Sequence, residues 1–267
     1  MLRRRFLLTA ALAFAGPGAA QARAARSRGG PLLVGVDRAL FDSGLAPALK
    51  RSFGADTGIA VKLVAAPAFA VLEAMQNGEL DAALTNAPGA ESDLERQGLV
   101  HARLPVASGE FVIVGPAARG PGQPTAPSRS GTSLLAALRE ATVATPGSVV
   151  FLTAGDRSGT HIAEQALWTR AQISPLAPWY QTADAGRPFI AQVRASGAFA
   201  VVERGAWVAV GGAPQAILVD ADPALAETVH VMRSFHATHP AGKIFASWVG
   251  GRRGRSVAAA QRGYRAV

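Results

Sequence analysis

Gly155-Asp156-Arg157-Ser158-Gly159-Thr160-His161 follows the apolar run Ser148-Val149-Val150-Phe151-Leu152 and opens a helical pattern from about Ile162 to Ala171. A strand that delivers a Gly/Ser/Thr turn into a helix start gathers backbone N–H groups, small hydroxyls and the positive end of the helix dipole. A small anion or the polar head of a ligand can sit there. The same residues also read as ordinary caps, with Asp156 or Ser158 closing the first turn. The segments on either side decide between the two readings.

Upstream, short apolar runs alternate with helical patterns. Leu32–Val36 reads as a strand, and Leu45, Leu49 and Phe53 share one helical face that stops near Gly58. Ile59–Val64 and Asp81–Leu84 read as further strands, with helices at Ala68–Gln76 and Glu91–Gln97. This alternation predicts right-handed βαβ units and a parallel, doubly wound sheet. Ligands on such sheets collect at the carboxyl ends of strands. Those ends are Asp37-Arg38, Ala65-Ala66-Pro67 and Thr85-Asn86-Ala87.

Glu110–Val114 is another strand, after which Gly115 to Gly131 is rich in Pro and Gly and reads as a loop. Downstream come a helix at Ser133–Ala141, the strand and helix around the heptapeptide, and a helix near Phe189–Ala195. Phe199–Val202 (strand), Arg204–Val210 (helix), Ile217–Val219 (strand) and Lys243–Val249 (helix) follow, and Arg252-Arg253-Gly254-Arg255 reads as solvated. The fold class expected is α/β, in two doubly wound lobes joined by two hinge crossovers. Lobe 1 is expected over 31–114 and 217–267, lobe 2 over 115–216, and the ligand cleft between them.

The first residues carry a different message. Met1-Leu2-Arg3-Arg4-Arg5-Phe6-Leu7-Leu8 leads into an apolar stretch to Ala15, broken by Gly16-Pro17-Gly18, with a small-x-small site at Ala20-Gln21-Ala22. A cationic start, a short apolar core and a small-residue exit predict an export signal over 1–22, with a twin-arginine flavour. Cleavage near Ala22 makes the protein periplasmic and leaves about 245 residues, enough for two lobes of ordinary size. The net charge is +9, and loss of Arg3, Arg4 and Arg5 with the leader leaves +6. The arginines are dispersed rather than blocked with aromatics, which argues against nucleic acid as a partner. The absence of cysteine excludes thiolate metal sites and thiol nucleophiles.

These residues together resemble the tungstate-binding, more broadly oxyanion-binding, extracytoplasmic solute receptors of ABC importers, which have the type II periplasmic-binding-protein fold. The resemblance rests on Asp42-Ser43-Gly44-Leu45, Thr57-Gly58-Ile59-Ala60-Val61, Gly78-Glu79-Leu80-Asp81-Ala82-Ala83-Leu84 and Glu110-Phe111-Val112-Ile113-Val114-Gly115-Pro116. The heptapeptide, Pro178-Trp179-Tyr180, Glu203-Arg204-Gly205, Leu218-Val219-Asp220-Ala221-Asp222-Pro223 and His239-Pro240 complete it, in the family's order. The resemblance implies a binding protein rather than an enzyme, a monomer that hands its solute to a permease in the inner membrane. It implies neither cofactor nor metal.

At the ligand positions the chain departs from that family. Where the tungstate receptors carry threonines and a serine after the first strand, this chain has Val36-Asp37-Arg38-Ala39. Ala66-Pro67-Ala68-Phe69 replaces a small Gly-Thr-Gly-like turn, Ala154 replaces an arginine, and Ala183-Asp184-Ala185-Gly186-Arg187-Pro188 replaces a Gly-rich turn. Ser158-Gly159-Thr160 is retained. Expected ligand contacts are Asp37, Arg38, Phe69, Arg157, Ser158, Gly159, Thr160, Asp184 and Arg187. A carboxylate about 4 Å from an oxyanion is repelled by about 4 kcal/mol per pair of unit charges at an effective dielectric near 20. Unless Arg38, Arg157 or Arg187 neutralises Asp37, the cleft therefore suits a small anionic or zwitterionic ligand with a donor group, such as a hydroxy-carboxylate or an amino acid, better than tungstate. In this scheme Arg157 and the Ser158–Thr160 amides hold the head, Asp37 accepts from the donor, and Phe69 covers an apolar part. The plain alternatives are an exposed Asp37–Arg38 ion pair, core packing for Phe69 and a solvated Arg187.

Catalysis is poorly supported by the residues. His161 has no paired acid in sequence reach, Ser158 lacks a G-x-S-x-G elbow, and His101, His230, His236 and His239 show no metal spacing. The leading reading is a solute receptor; a sensor of the same fold signalling to a membrane receptor is the alternative, and an enzyme on that fold comes third.

Overall fold

A computed structural model describes residues 30–116, 130–211, 215–237 and 239–267. The expected signal over 1–22 and most of the Pro/Gly-rich loop lie outside the described residues.

The amino-terminal half follows the predicted alternation closely: β1 (Leu32–Asp37), α1 (Arg38–Asp42), α2 (Leu45–Thr57), β2 (Val61–Ala66), α3 (Ala68–Gln76), β3 (Ala82–Thr85) and α4 (Pro88–Arg96). Each element has a local cause. Leu45, Leu49 and Phe53 bury one stripe of α2, and Gly58 ends that helix in the left-handed region at φ 72, returning its N–H to Gly54. Pro88 supplies a preset φ at the start of α4, where its missing N–H costs nothing.

β4 (Val100–Pro116) is 17 residues long and runs through both halves of the molecule. After it come α5 (Gly131–Ala144), β5 (Phe151–Thr153), α6 (Gly159–Arg170), β6 (Tyr180–Thr182), α7 (Phe189–Ser196), β7 (Ala200–Glu203), α8 (Arg204–Val210) and β8 (Gln215–Val219). β9 (Ala226–Ser234), α9 (Ala241–Val249) and α10 (Arg252–Ala259) close the chain.

The main sheet has the order β2-β1-β3-β9-β4-β7, with β8 on β4. β1 runs parallel to β2 and β3, whereas β9 is antiparallel to β3 and β4, and β7 and β8 are antiparallel to β4. The sheet is thus mixed rather than parallel throughout. The difference comes from β9, which the sequence pattern did not mark. Its core positions include Glu227 and His230, so polar residues interrupt the apolar run that identifies a buried strand. The arginine-rich end exposes Arg252 and Arg253 to solvent as expected, within an element the sequence had not marked. It is the helix α10, with Gly254 and Ala258 buried and Arg253 donating to Asp56 at 3.1 Å.

The apolar core divides in two. One pair of clusters draws on residues between Leu32 and Ala107 and between Val229 and Tyr264; the other draws on residues between Phe111 and Leu225. Two strand segments cross between them, β4 around Gly109 and the stretch leading into β9. Gly109 pairs with Glu227 there, and a Cβ on Gly109 would lie 2.6 Å from the Glu227 carboxyl. Glycine is needed at this crossing because a buried carboxyl occupies the space a side chain would take.

Candidate functional site

Asp37 ends β1 and caps α1, its Oδ1 accepting from the Ala39 N–H at 2.9 Å. Its Oδ2 accepts from the Gly159 N–H at 3.0 Å, a bond spanning 122 residues and joining the two core regions. The Ala68 amide, first in α3, faces this carboxylate closely enough to lower its pKa slightly. The side chain is wholly buried. Burial is the main reason its pKa rises from 3.8 to about 6; Asp156 adds to the rise, while the amides of Gly159, Ala39 and Ala68 pull it back. A buried carboxylate bonded only to backbone amides is satisfied in hydrogen bonds but uncompensated in charge.

Gly159 is the first residue of α6. Its amide reaches Asp37 because nothing projects from its α-carbon: a Cβ there would overlap the Asn86 carboxamide. Ser158 caps the helix, its Oγ accepting from the His161 N–H at 3.3 Å, while its own N–H donates to Asp156 at 2.9 Å. Of the two capping residues the sequence offered, Ser158 caps the helix, and Asp156 holds the turn before it. Thr160 is buried beside them. Arg157 has φ 62 and donates its N–H to the Nδ1 of His161 at 2.9 Å. That bond assigns His161 a neutral ring with an acceptor Nδ1. Burial lowers its pKa, against an opposing pull from Asp156.

Arg157 and Phe69 meet across the same junction. The guanidinium carbon lies 3.6 Å from the Phe69 ring centroid, and the Phe69 N–H donates to the Arg157 carbonyl at 3.3 Å. Asp37, Phe69, Arg157, Ser158, Gly159 and Thr160 are thus brought together. The other three expected residues are placed differently. Arg38 is exposed, donating to the Ala65 carbonyl at 3.3 Å, and its charge acts on Asp42. Asp184 and Arg187 are exposed in the turn after β6, tied to Gly186 and Gln192. Among the described residues no hydrogen bond or ion pair links these three to Asp37.

Asn86, Glu227 and Glu91 were missed as site residues. Asn86 follows β3, at a strand end the sequence had marked, and its Nδ2 donates to Glu227 Oε1 at 2.6 Å. Glu91 fixes the turn that carries Asn86, with its Oε1 accepting from the Thr85 hydroxyl at 2.7 Å and the Ala87 N–H at 2.9 Å. Its Oε2 meets Arg103 at 3.1 Å and His230 at 2.9 Å. Glu227 carries no sequence signal, because it lies on the strand the pattern concealed. Burial raises its pKa well above 4.5, with Glu203 adding to the effect. Glu203 caps α8 through the amides of Gly205 and Ala206, and burial raises its pKa to about 7. Among the described residues there is no group of three or more metal-ligating side chains, and no helix is long and apolar enough to cross a membrane.

The family model of the PBP superfamily domain matches residues 21–249. A Haloferax volcanii protein described as an ABC transporter anion-binding protein is 31% identical over 67% of this chain and 50% of its own length. The tungstate-binding protein TupA of Peptoclostridium acidaminophilum is 28% identical over 68% of this chain and 62% of its own. The chain thus spans only about half to three fifths of these relatives. Among solved structures, the tungstate ABC transporter protein of Geobacter sulfurreducens superposes with a TM-score of 0.72 at 26% identity, over 86% of this chain and 97% of that one. With its two cores, its crossing strands and a match over most of its length, the chain belongs to the PBP (periplasmic-binding-protein) superfamily.

Proposed function

We propose that this protein is the extracytoplasmic solute receptor of an ABC importer, closing two lobes over a small solute and delivering it to a permease in the inner membrane. The supporting observation is the Gly159–Asp37 hydrogen bond, which places the start of α6 against the end of β1 where the two cores meet. The named relatives and the solved neighbour, described as ABC transporter anion- or tungstate-binding proteins, support the transport reading. We place the lobe boundaries where the cores change over, between Ala107 and Phe111, a few residues before the expected first boundary, and between Leu225 and Val229, about ten residues after the expected second. The export signal and a monomeric state belong to the same proposal.

The solute that fits best carries an anionic head and a hydrogen-bond donor. Arg157, held face-on by Phe69, offers its edge to the head, and Asp37 accepts from the donor. Asp184 and Arg187 remain outside this scheme. A panel of tungstate, sulfate, phosphate, hydroxy-carboxylates and amino acids, scored by thermal unfolding, tests the reading. A true solute at 100 times its dissociation constant adds about 2.7 kcal/mol of stability. Strong stabilisation by tungstate, with none by the donor-bearing acids, overturns the assignment of the solute class.

A further inference from the structure

The nine-residue α3 and the twelve-residue α6 both direct first-turn amides, Ala68 and Gly159, at one point, and the Ala39 amide joins them. Three N–H groups converging from separate segments make a seat for an anion. In this chain the group in that seat is the Asp37 carboxylate. A second observation marks the same place. Asn86 is 3% exposed, and its carboxamide lies against the Gly159 α-carbon with its Oδ1 free of any hydrogen-bond partner among the described residues. Glu227, whose Oε1 meets that carboxamide, has its Oε2 buried against Gly109 and likewise without a hydrogen-bond partner among the described residues.

Turning the Asn86 carboxamide over gives Oδ1 a partner in Glu227 Oε1, while Glu227 Oε2 stays against Gly109. A protonated Glu227 then donates to Oδ1, and Nδ2 faces Gly159 and the seat as a fourth donor. The raised pKa of Glu227 favours the proton this needs. The arrangement is that of an anion site whose occupant is covalently attached.

We propose that Asp37 is an internal stand-in for a solute's anionic head, and that the Ala39, Ala68 and Gly159 amides with Asn86 form a latent oxyanion and carboxylate site that its side chain blocks. The proposal rests on the reading that the lobes close at this junction, and deepens it by naming Asp37 as the residue that sets specificity. A bare dianion is excluded because its place is taken by like charge. Shortening the side chain to a hydroxyl removes the charge and opens the space while keeping a hydrogen-bonding group.

The experiment compares the wild-type chain with Asp37→Ser and Asp37→Asn, probing each with formate, sulfate and tungstate by thermal unfolding and titration calorimetry at pH 7.5. Asp37→Ser is expected to bind at least one of these anions about 100-fold more tightly than wild type, and Asn86→Ala added to it is expected to forfeit much of that gain. If Asp37→Ser folds only in the presence of such an anion, that rescue supports the proposal equally. Asp37→Asn, which keeps the shape of the side chain and fills the seat, is expected to fold and to gain little. Wild type that binds these anions as tightly as Asp37→Ser overturns the proposal. A folded Asp37→Ser that binds none of them, or an Asp37→Ser that no anion restores, does the same. The two readings fail separately: wild type silent to every donor-bearing acid removes the solute class proposed above, whereas anion binding gained by Asp37→Ser alone still establishes the latent site.

Discussion

Glu91 and Glu227 are buried glutamates that serve the same short turn, yet their partners differ in kind. Glu91 holds Thr85 and Ala87 while facing Arg103 and His230, so it has the Arg103 guanidinium beside it inside one core region. Glu227 meets a neutral carboxamide, and the charges acting on it are the carboxylates Glu203, Asp37 and Glu91. Asp37 and Glu203 resemble Glu227 in having no cation partner among the described residues, being held by backbone amides. Within a rigid core the chain compensates charge permanently. Where the two cores meet, Glu110 has Arg204 at 2.8 Å, but Asp37, Glu203 and Glu227 have no such partner among the described residues and gain by holding protons.

The contrast is broken most severely at Glu91. Glu91→Ala strands the Arg103 guanidinium and frees the Thr85–Ala87 turn, and is expected to cost about 3–5 kcal/mol in denaturant unfolding. A cost below about 1 kcal/mol would mean that the ion pair contributes little.

Next in size is a pH effect of opposite sign to ordinary acid denaturation. The folded protein holds Asp37 at about 6 against 3.8, and Glu203 at about 7 against 4.5. Between those limits the native state binds more protons than the unfolded chain, so these groups' contribution to stability is full below the lower value and is lost as pH rises through the upper. A full proton of difference between the two states changes stability by about 1.4 kcal/mol for every pH unit. Lowering the pH from 7 to 5 should therefore recover about 2 kcal/mol through Glu203. Glu203→Gln should flatten the pH profile by that amount; an unchanged slope removes Glu203 from the account.

Gly159→Ala drives a methyl group into the Asn86 carboxamide and should cost about 1–3 kcal/mol by overpacking. It should also leave the particle more open in small-angle scattering, whereas an unaltered profile would mean that the junction yields without parting. The smallest expected effect is that of Phe69→Ala. The exposed Arg157 stack is worth about 0.5–1 kcal/mol, readable as a minor shift in melting temperature.

Much of this architecture was legible in the sequence. α3 and α8 fall where the apolar spacing placed them, and β1 extends the predicted strand by a single residue. β9 was hidden because Glu227 and His230 occupy positions that would ordinarily be apolar, and without it the sheet looked parallel. In the site, Asp37 and the Ser158–Thr160 turn were found because strand ends and helix starts announce themselves locally. Asn86 stood at a marked strand end but lacked a charge to draw notice. Asp184 and Arg187 looked eligible by type, yet their turn spends its hydrogen bonds on Gln192. That Asp37 bonds to Gly159 rather than to Arg38 is a long-range fact that no local pattern encodes.

The sharpest test is a crystal structure of Asp37→Ser grown with tungstate, whose anomalous scattering marks the metal atom without ambiguity. One strong peak is expected where the Ala39, Ala68 and Gly159 amides converge. A peak elsewhere, such as among the exposed arginines of α10, or no peak in a well-ordered crystal of a variant that titrates with tungstate in solution, would contradict a latent anion seat at that junction.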